Sequence, residues 1–136
     1  MLRLVNKRRS SDEVNDIAQQ SLQRWALAFE AMDPSRIALL YSDSSLFYGS
    51  RPPLFTGRKG VANYFSGLRS RTSNGARFEN LVAVDLAERV VQLAVVAIFS
   101  VDQNPPVTMR LTQTLVFDGE RWEIACHHAS PVPAGR

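Results

Sequence analysis

The chain has 136 residues, 45% hydrophobic and 21% charged, with a formal net charge of +3 and one cysteine. That is one domain of ordinary soluble composition, long enough to bury roughly two thirds of its unfolded surface. An internal disulfide is excluded, so the fold does not depend on an oxidising compartment. Much of the positive excess lies in Arg3, Lys7, Arg8 and Arg9. No apolar run follows them, as a secretory signal would need, and no segment is long enough to span a bilayer. No basic stripe interleaved with aromatics follows either, so the cluster reads as a solvated leader rather than a nucleic-acid arm. The expectation is a cytoplasmic protein without membrane or nucleic-acid partners.

Ser10 and Glu13 have capping-box spacing, and a helix is predicted to start there. Val14, Ile17, Ala18, Leu22, Trp25, Phe29 and Met32 continue it at helical spacing. Asp33-Pro34 ends it and opens a second helix, because Asp suits an N-cap and Pro the first helical position. Ile37, Ala38, Leu40 and Tyr41 are expected on that helix. Ser42 to Ser45 reads as a turn and Leu46-Phe47-Tyr48 as a short strand. Gly49 to Pro53 cannot hold a ladder, since proline lacks the donor. Leu54 and Phe55 should return the chain to the core. Thr56-Gly57 then opens a third helix carrying Val61, Tyr64, Phe65 and Leu68 on one face. Asn74-Gly75 reads as a turn.

Beyond Arg77 the period becomes two. Phe78 to Leu86 and Val90 to Val101 are expected strands, the second apolar on both faces and therefore covered on both. Asp118-Gly119 marks a hairpin between VTMRLTQTLVF and WEIACHHAS. If Phe117 pairs with Trp122, Met109, Leu111, Gln113, Leu115 and Phe117 share one face with Trp122, Ile124, Cys126, His128 and Ser130. Arg110, Thr112, Thr114, Glu123 and His127 share the other. His128 is thus expected inside and His127 outside.

Three helices followed by antiparallel strands predict an α+β domain, with the helices packed on one face of a strongly curved, mainly antiparallel sheet. Residues 1–10 read as a basic flexible leader, 11–133 as one domain and 134–136 as a tail. A bent sheet with its concave side covered leaves a cone, whose mouth is a natural small-molecule pocket.

The stretches WALAFEAMDPSRIALLYSDSSLF and FTGRKGVANYFSGL, with Arg110, Thr112, Asp118-Gly119, Trp122, His127-His128, Ser130 and Pro133, carry a resemblance. The chain resembles the nuclear transport factor 2-like superfamily, within it the SnoaL-like group that includes the calcium/calmodulin-dependent protein kinase II association domain. The resemblance implies a cone-shaped fold, a pocket and commonly a homodimer built on the exposed sheet face. It implies no single chemistry, since members include isomerases, cyclases, dehydratases and assembly domains. The ketosteroid isomerases of this superfamily need a carboxylate base on the strand after the second helix. Laid on this chain, that position falls at or beside Tyr48, which is no ionised base near neutral pH. Asp85 lies near a strand end and reads as a solvated turn acid.

The inward His128 is the candidate general acid/base, against a neutral histidine held by one hydrogen bond in the cone floor. For an inward histidine without a visible carboxylate partner, the second reading is favoured. Gln113 and Ser130 share its face and are candidates to bind a ligand, as are Trp25, Tyr41, Tyr48, Tyr64 and Trp122. Simple core packing is the commoner role for such aromatics. Arg110, Thr112, Thr114 and His127 suit an isologous sheet-to-sheet contact. No metal motif, Walker loop, dinucleotide fingerprint or G-x-S-x-G elbow is present, so no metal or cofactor is expected. The leading functional expectation is a homodimeric cone domain binding a small, largely apolar ligand. The alternatives are an isomerase, cyclase or hydrolase using His128, and an oligomerisation module.

Overall fold

A computed structural model describes residues 8–68 and 73–133. Helix α1, Ser11–Glu30, begins at the capping box read from the sequence. Glu13 N–H donates to Ser10 Oγ at 3.1 Å, and Ser10 N–H donates to the Glu13 carboxylate at 2.8 Å. Two helix-end donors are satisfied by one another's side chains. The buried face runs through Val14, Ala18, Leu22, Trp25 and Phe29. Helix α2, Pro34–Ala38, is capped by Asp33, whose Oδ1 accepts from Ser35 and Arg36 N–H.

Leu40 and Tyr41 do not join α2, contrary to their helical spacing. Strand β1 is Tyr41–Tyr48. The Leu40 carbonyl accepts from Ile124 N–H at 2.9 Å, so the neighbouring strand takes the backbone that another helical turn would have used. The expected turn at Ser42 to Ser45 is instead an irregular stretch of β1. Tyr41 pairs with Ile124, and pairing resumes only at Leu46 with Cys126.

The two-residue strand β2, Phe55–Thr56, leads into α3, Gly57–Ser66. Leu54 stays exposed. Leu68 lies beyond the helix end. The sheet continues with β3, Asn74–Ala87; β4, Val90–Val101; β5, Val107–Phe117; and β6, Trp122–Pro131. Asn74-Gly75 thus begins a strand rather than turning. The Asn74 amide donates to the Phe29 carbonyl at 3.2 Å, tying the end of α1 to that strand.

The six strands of the described residues form one sheet in the order β2-β1-β6-β5-β4-β3. Only β1 and β6 run parallel; every other neighbouring pair is antiparallel. The helices pack on one face, over a core that includes Leu22, Trp25, Tyr41, Phe47, Leu93, Leu111 and Leu115. The α+β cone expected from the element order is present. Among the described residues the opposite face has no second layer, so β4 is covered by them on one side only. Its Val91, Leu93, Val95 and Ala97 are buried, whereas Gln92 and Ala94 on the other side are exposed.

The hairpin register starts as expected, with Phe117 opposite Trp122 and Leu115 opposite Ile124. Then Thr114 pairs with Cys126, which leaves Ala125 as one extra residue on β6. Such a β-bulge reverses the in–out alternation of everything after it. His127 and Ala129 are therefore buried, while Cys126 and His128 are exposed. The expected facing of the two histidines is overturned.

Of the leader, residues 1–7 lie outside the described residues. Arg8 and Arg9 are held: Arg9 N–H and its guanidinium both donate to the Asp85 carboxylate, at 2.9 and 3.1 Å. Arg8 reaches the Asp85 carbonyl, and the Arg9 guanidinium lies 5.1 Å from the Trp122 ring centre. Asp85 is a clamp for the chain's approach to α1, with its side chain largely buried, not a solvated turn acid. The tail 134–136 is likewise outside the described residues. No helix among the described residues is long and apolar enough to cross a membrane.

Candidate functional site

Four elements send one polar side chain each into the apolar interior. Trp25 comes from α1, Tyr41 from the start of β1, Gln113 from β5 and His127 from β6 beyond the bulge. Trp25 Nε1–H donates to the Tyr41 hydroxyl at 2.9 Å. The Tyr41 hydroxyl lies 3.0 Å from His127 Nδ1, and Gln113 Nε2 lies 3.1 Å from the same nitrogen. An indole nitrogen can only donate, so the tyrosine oxygen accepts from it, and the direction of its bond to His127 Nδ1 follows the ring's tautomer. The Gln113 amide meets the same nitrogen, and its Oε1 is buried without a partner.

Burial dominates the electrostatics. His127 is 4% exposed, stacked on Phe47 with centroids 4.4 Å apart. Desolvation, reinforced by the charge of His128, pushes its imidazole down to about 3. Desolvation also raises the Tyr41 phenol well above its ordinary value. Both groups are neutral at physiological pH, so the cone floor is polar and uncharged.

Beside this floor lies an open pocket of about 230 Å³. Trp25, Phe29, Tyr64, Phe65, Phe99 and Met109 form most of its wall, with Gly49 and Ser50 at one side. Trp25 belongs to both features, since its ring borders the pocket and its nitrogen binds Tyr41.

The residues expected in the pocket are thus divided. Trp25 and Tyr64 border it. Tyr41 and Gln113 are buried in the polar floor. Tyr48 points outwards, 48% exposed, with its ring against His128. Trp122 is half-buried under Arg9, and Ser130, shifted by the bulge, leaves the inner face. His128 does not face the interior on which its acid/base candidacy depended; that place belongs to His127. Of the expected interface residues, Arg110 and Thr112 are exposed and Thr114 is half-buried. His127 is withdrawn from that face, and His128, opposite Thr112, stands there instead.

One charged cluster escapes the sequence reading. Glu123, expected outside near Arg110, is 6% exposed and accepts from Arg58 at 2.8 Å and Arg121 at 3.0 Å. Arg58 also binds the Asp43 carboxylate and the Tyr41 carbonyl, fastening α3 to the irregular part of β1. Spacing gives no signal for a cluster whose members are 15 and 65 residues from Arg58. Among the described residues, no group of three or more His, Cys, Asp or Glu side chains could hold a metal ion.

Comparison with known families matches residues 18–135 to the SnoaL-like domain. The chain belongs to the SnoaL-like family. Among solved structures it is similar to a Xanthomonas campestris protein provisionally assigned as a calcium/calmodulin-dependent protein kinase II association domain. The two share 18% identity and a TM-score of 0.80, over 98% of this chain and 99% of that one. It is also similar to nuclear transport factor 2 from Cryptosporidium parvum, at 15% identity and TM-score 0.78, over 93% of this chain and 100% of that one. A Novosphingobium aromaticivorans protein provisionally assigned as a scytalone dehydratase matches at 12% identity and TM-score 0.78, over 93% and 97%. At these identities the likeness carries the nuclear transport factor 2-like fold and no more. No curated protein matches the chain.

Proposed function

We propose that this SnoaL-like domain binds a small, largely apolar molecule in its aromatic pocket and works as a homodimer joined through the open sheet face. The observation that carries the first part is an aromatic-walled pocket of about 230 Å³ adjoining a neutral polar floor. Apolar walls supply burial energy, and a few fixed polar groups orient what enters. The test is a nuclear magnetic resonance titration with small aromatic compounds, following the indole N–H signals of Trp25 and Trp122. Binding moves Trp25 and spares Trp122. No movement of Trp25 with any compound up to its solubility limit rejects the reading.

The dimer is supported by the unlayered sheet face, where Leu46, Tyr48, Val82 and Val84 are each roughly half exposed around Thr112 and Arg110. Thr112→Glu, which sets a charge in the middle of that face, is expected to give a monomer in sedimentation at a concentration where the parent is a dimer. A parent that sediments as a monomer rejects it.

An enzymatic role is second. The inward imidazole favours it, and two structural neighbours are provisionally assigned as dehydratases. The catalytic group would be His127, not His128, working as a neutral imidazole through Nε2. His127→Gln with undiminished turnover of a substrate once found would exclude that role.

A further inference from the structure

Polar groups of the pocket meet at one place on its rim. Gly49 follows β1 and packs so closely on Tyr64 that a Cβ there would lie 2.3 Å from ring Cζ and 2.4 Å from the hydroxyl oxygen. Only a residue without a side chain lets the phenol occupy this position. The next residue, Ser50, donates its backbone N–H to the Tyr64 hydroxyl at 3.3 Å. That oxygen is thereby an acceptor, and its own proton is left for another acceptor. The ring is held on its other sides by Phe47, Phe55 and Phe65, at centroid distances of 4.8, 5.5 and 5.0 Å. Gly49, Ser50 and Tyr64 all border the pocket. Among the described residues, the lining includes no carboxylate, ammonium, guanidinium or imidazole.

Building on the ligand-binding reading above, we propose that the pocket takes an uncharged single-ring molecule bearing a carbonyl or ether oxygen. The Tyr64 hydroxyl donates to that oxygen, and Gly49 fixes where the hydroxyl stands. Size sets the ring count, because 230 Å³ lies below the roughly 300–1,000 Å³ of sites for drug-sized ligands. Charge is disfavoured by desolvation: no counter-charge lines the pocket among the described residues, so an ion entering its apolar walls forfeits its hydration. One phenolic donor at the rim selects an acceptor on the ligand.

Three probes of similar size separate the possibilities: acetophenone, ethylbenzene and benzoate, titrated at pH 7 against the Trp25 indole signal. Acetophenone and ethylbenzene are expected to bind, and benzoate to bind weakest. Tyr64→Phe is expected to weaken acetophenone about three- to tenfold, the value of one hydrogen bond, while changing ethylbenzene less than about twofold. Gly49→Ala, which forces the phenol aside without removing it, is expected to weaken acetophenone selectively as well. An unchanged acetophenone affinity in folded Tyr64→Phe overturns the inference and leaves the pocket reading standing. Benzoate binding tightest does the same. No response of Trp25 to any of the three overturns both.

Discussion

His127 and His128 are separated by one peptide bond and occupy opposite environments. The first is enclosed by Trp25, Tyr41, Phe47 and Gln113, with Nδ1 engaged. The second stands on the open sheet face beside Tyr48. Identical side chains thus serve different parts of the molecule. One completes an internal polar network that is costly to leave incomplete, and the other decorates an exposed sheet face. The lesson is that residue type alone says little here; the phase of the strand decides.

The contrast is broken most severely by removing the inner ring. His127→Ala is expected to cost about 2–4 kcal/mol, from the cavity and from Tyr41 and Gln113 groups left without their partner. His128→Ala is expected to stay within about 0.5 kcal/mol. Urea denaturation of both variants at a concentration that keeps the protein monomeric compares them directly. Equal losses would mean that the two environments are not what the bulge implies.

Acidity sharpens the comparison next. Because the folded pKa of His127 is depressed to about 3, the unfolded chain binds a proton below about pH 6.5 that the native state refuses. Stability from this group is therefore complete above about pH 6.5 and is lost progressively as pH falls towards 3. His127→Gln should flatten that part of the stability–pH curve. Ring signals of His127 unchanged between pH 5 and 8 would agree, and a midpoint in that range would contradict the buried neutral ring.

Arg58→Ala comes third. It leaves the buried Glu123 carboxylate with Arg121 alone and loosens α3 from β1, with an expected loss of about 1–3 kcal/mol. Its partner Arg121→Ala should cost less, because Arg121 is half exposed and screened by water. Chemical denaturation ranks the two. The smallest effect expected is Ser10→Ala, about 1 kcal/mol from one lost cap, measured as a thermal shift.

Much of this architecture is legible in the letters. Ser10 with Glu13, and Asp33 with Pro34, announce helix starts because their side-chain chemistry acts over three or four residues. The Phe117–Trp122 register follows from Asp118-Gly119 for the same local reason. The interior placement of Gln113 follows from alternation along an uninterrupted strand. The site itself is less legible. After Ile124 the residues Ala125, Cys126, His127, His128, Ala129 and Ser130 are small or amphipathic, and none insists on a face. A bulge in such a run leaves no hydrophobic signature. Leu40 and Tyr41 mislead differently: their helical spacing is real, but β6 claims the backbone of Leu40. Glu123 is buried against its outward spacing because its partners come from α3 and the hairpin turn, which no local pattern joins.

The extra residue at Ala125 makes the identity of the inner histidine a matter of counting. Deleting Ala125 would remove the bulge yet leave Cys126 opposite Thr114 and His127 opposite Gln113, so the same imidazole would still face inwards. Keeping Ala125 but straightening the strand would instead carry Cys126, His128 and Ser130 inwards and turn His127 onto the open face. A chain lacking that residue, aligned to this one without a gap, would therefore set inward residues in the columns of outward ones.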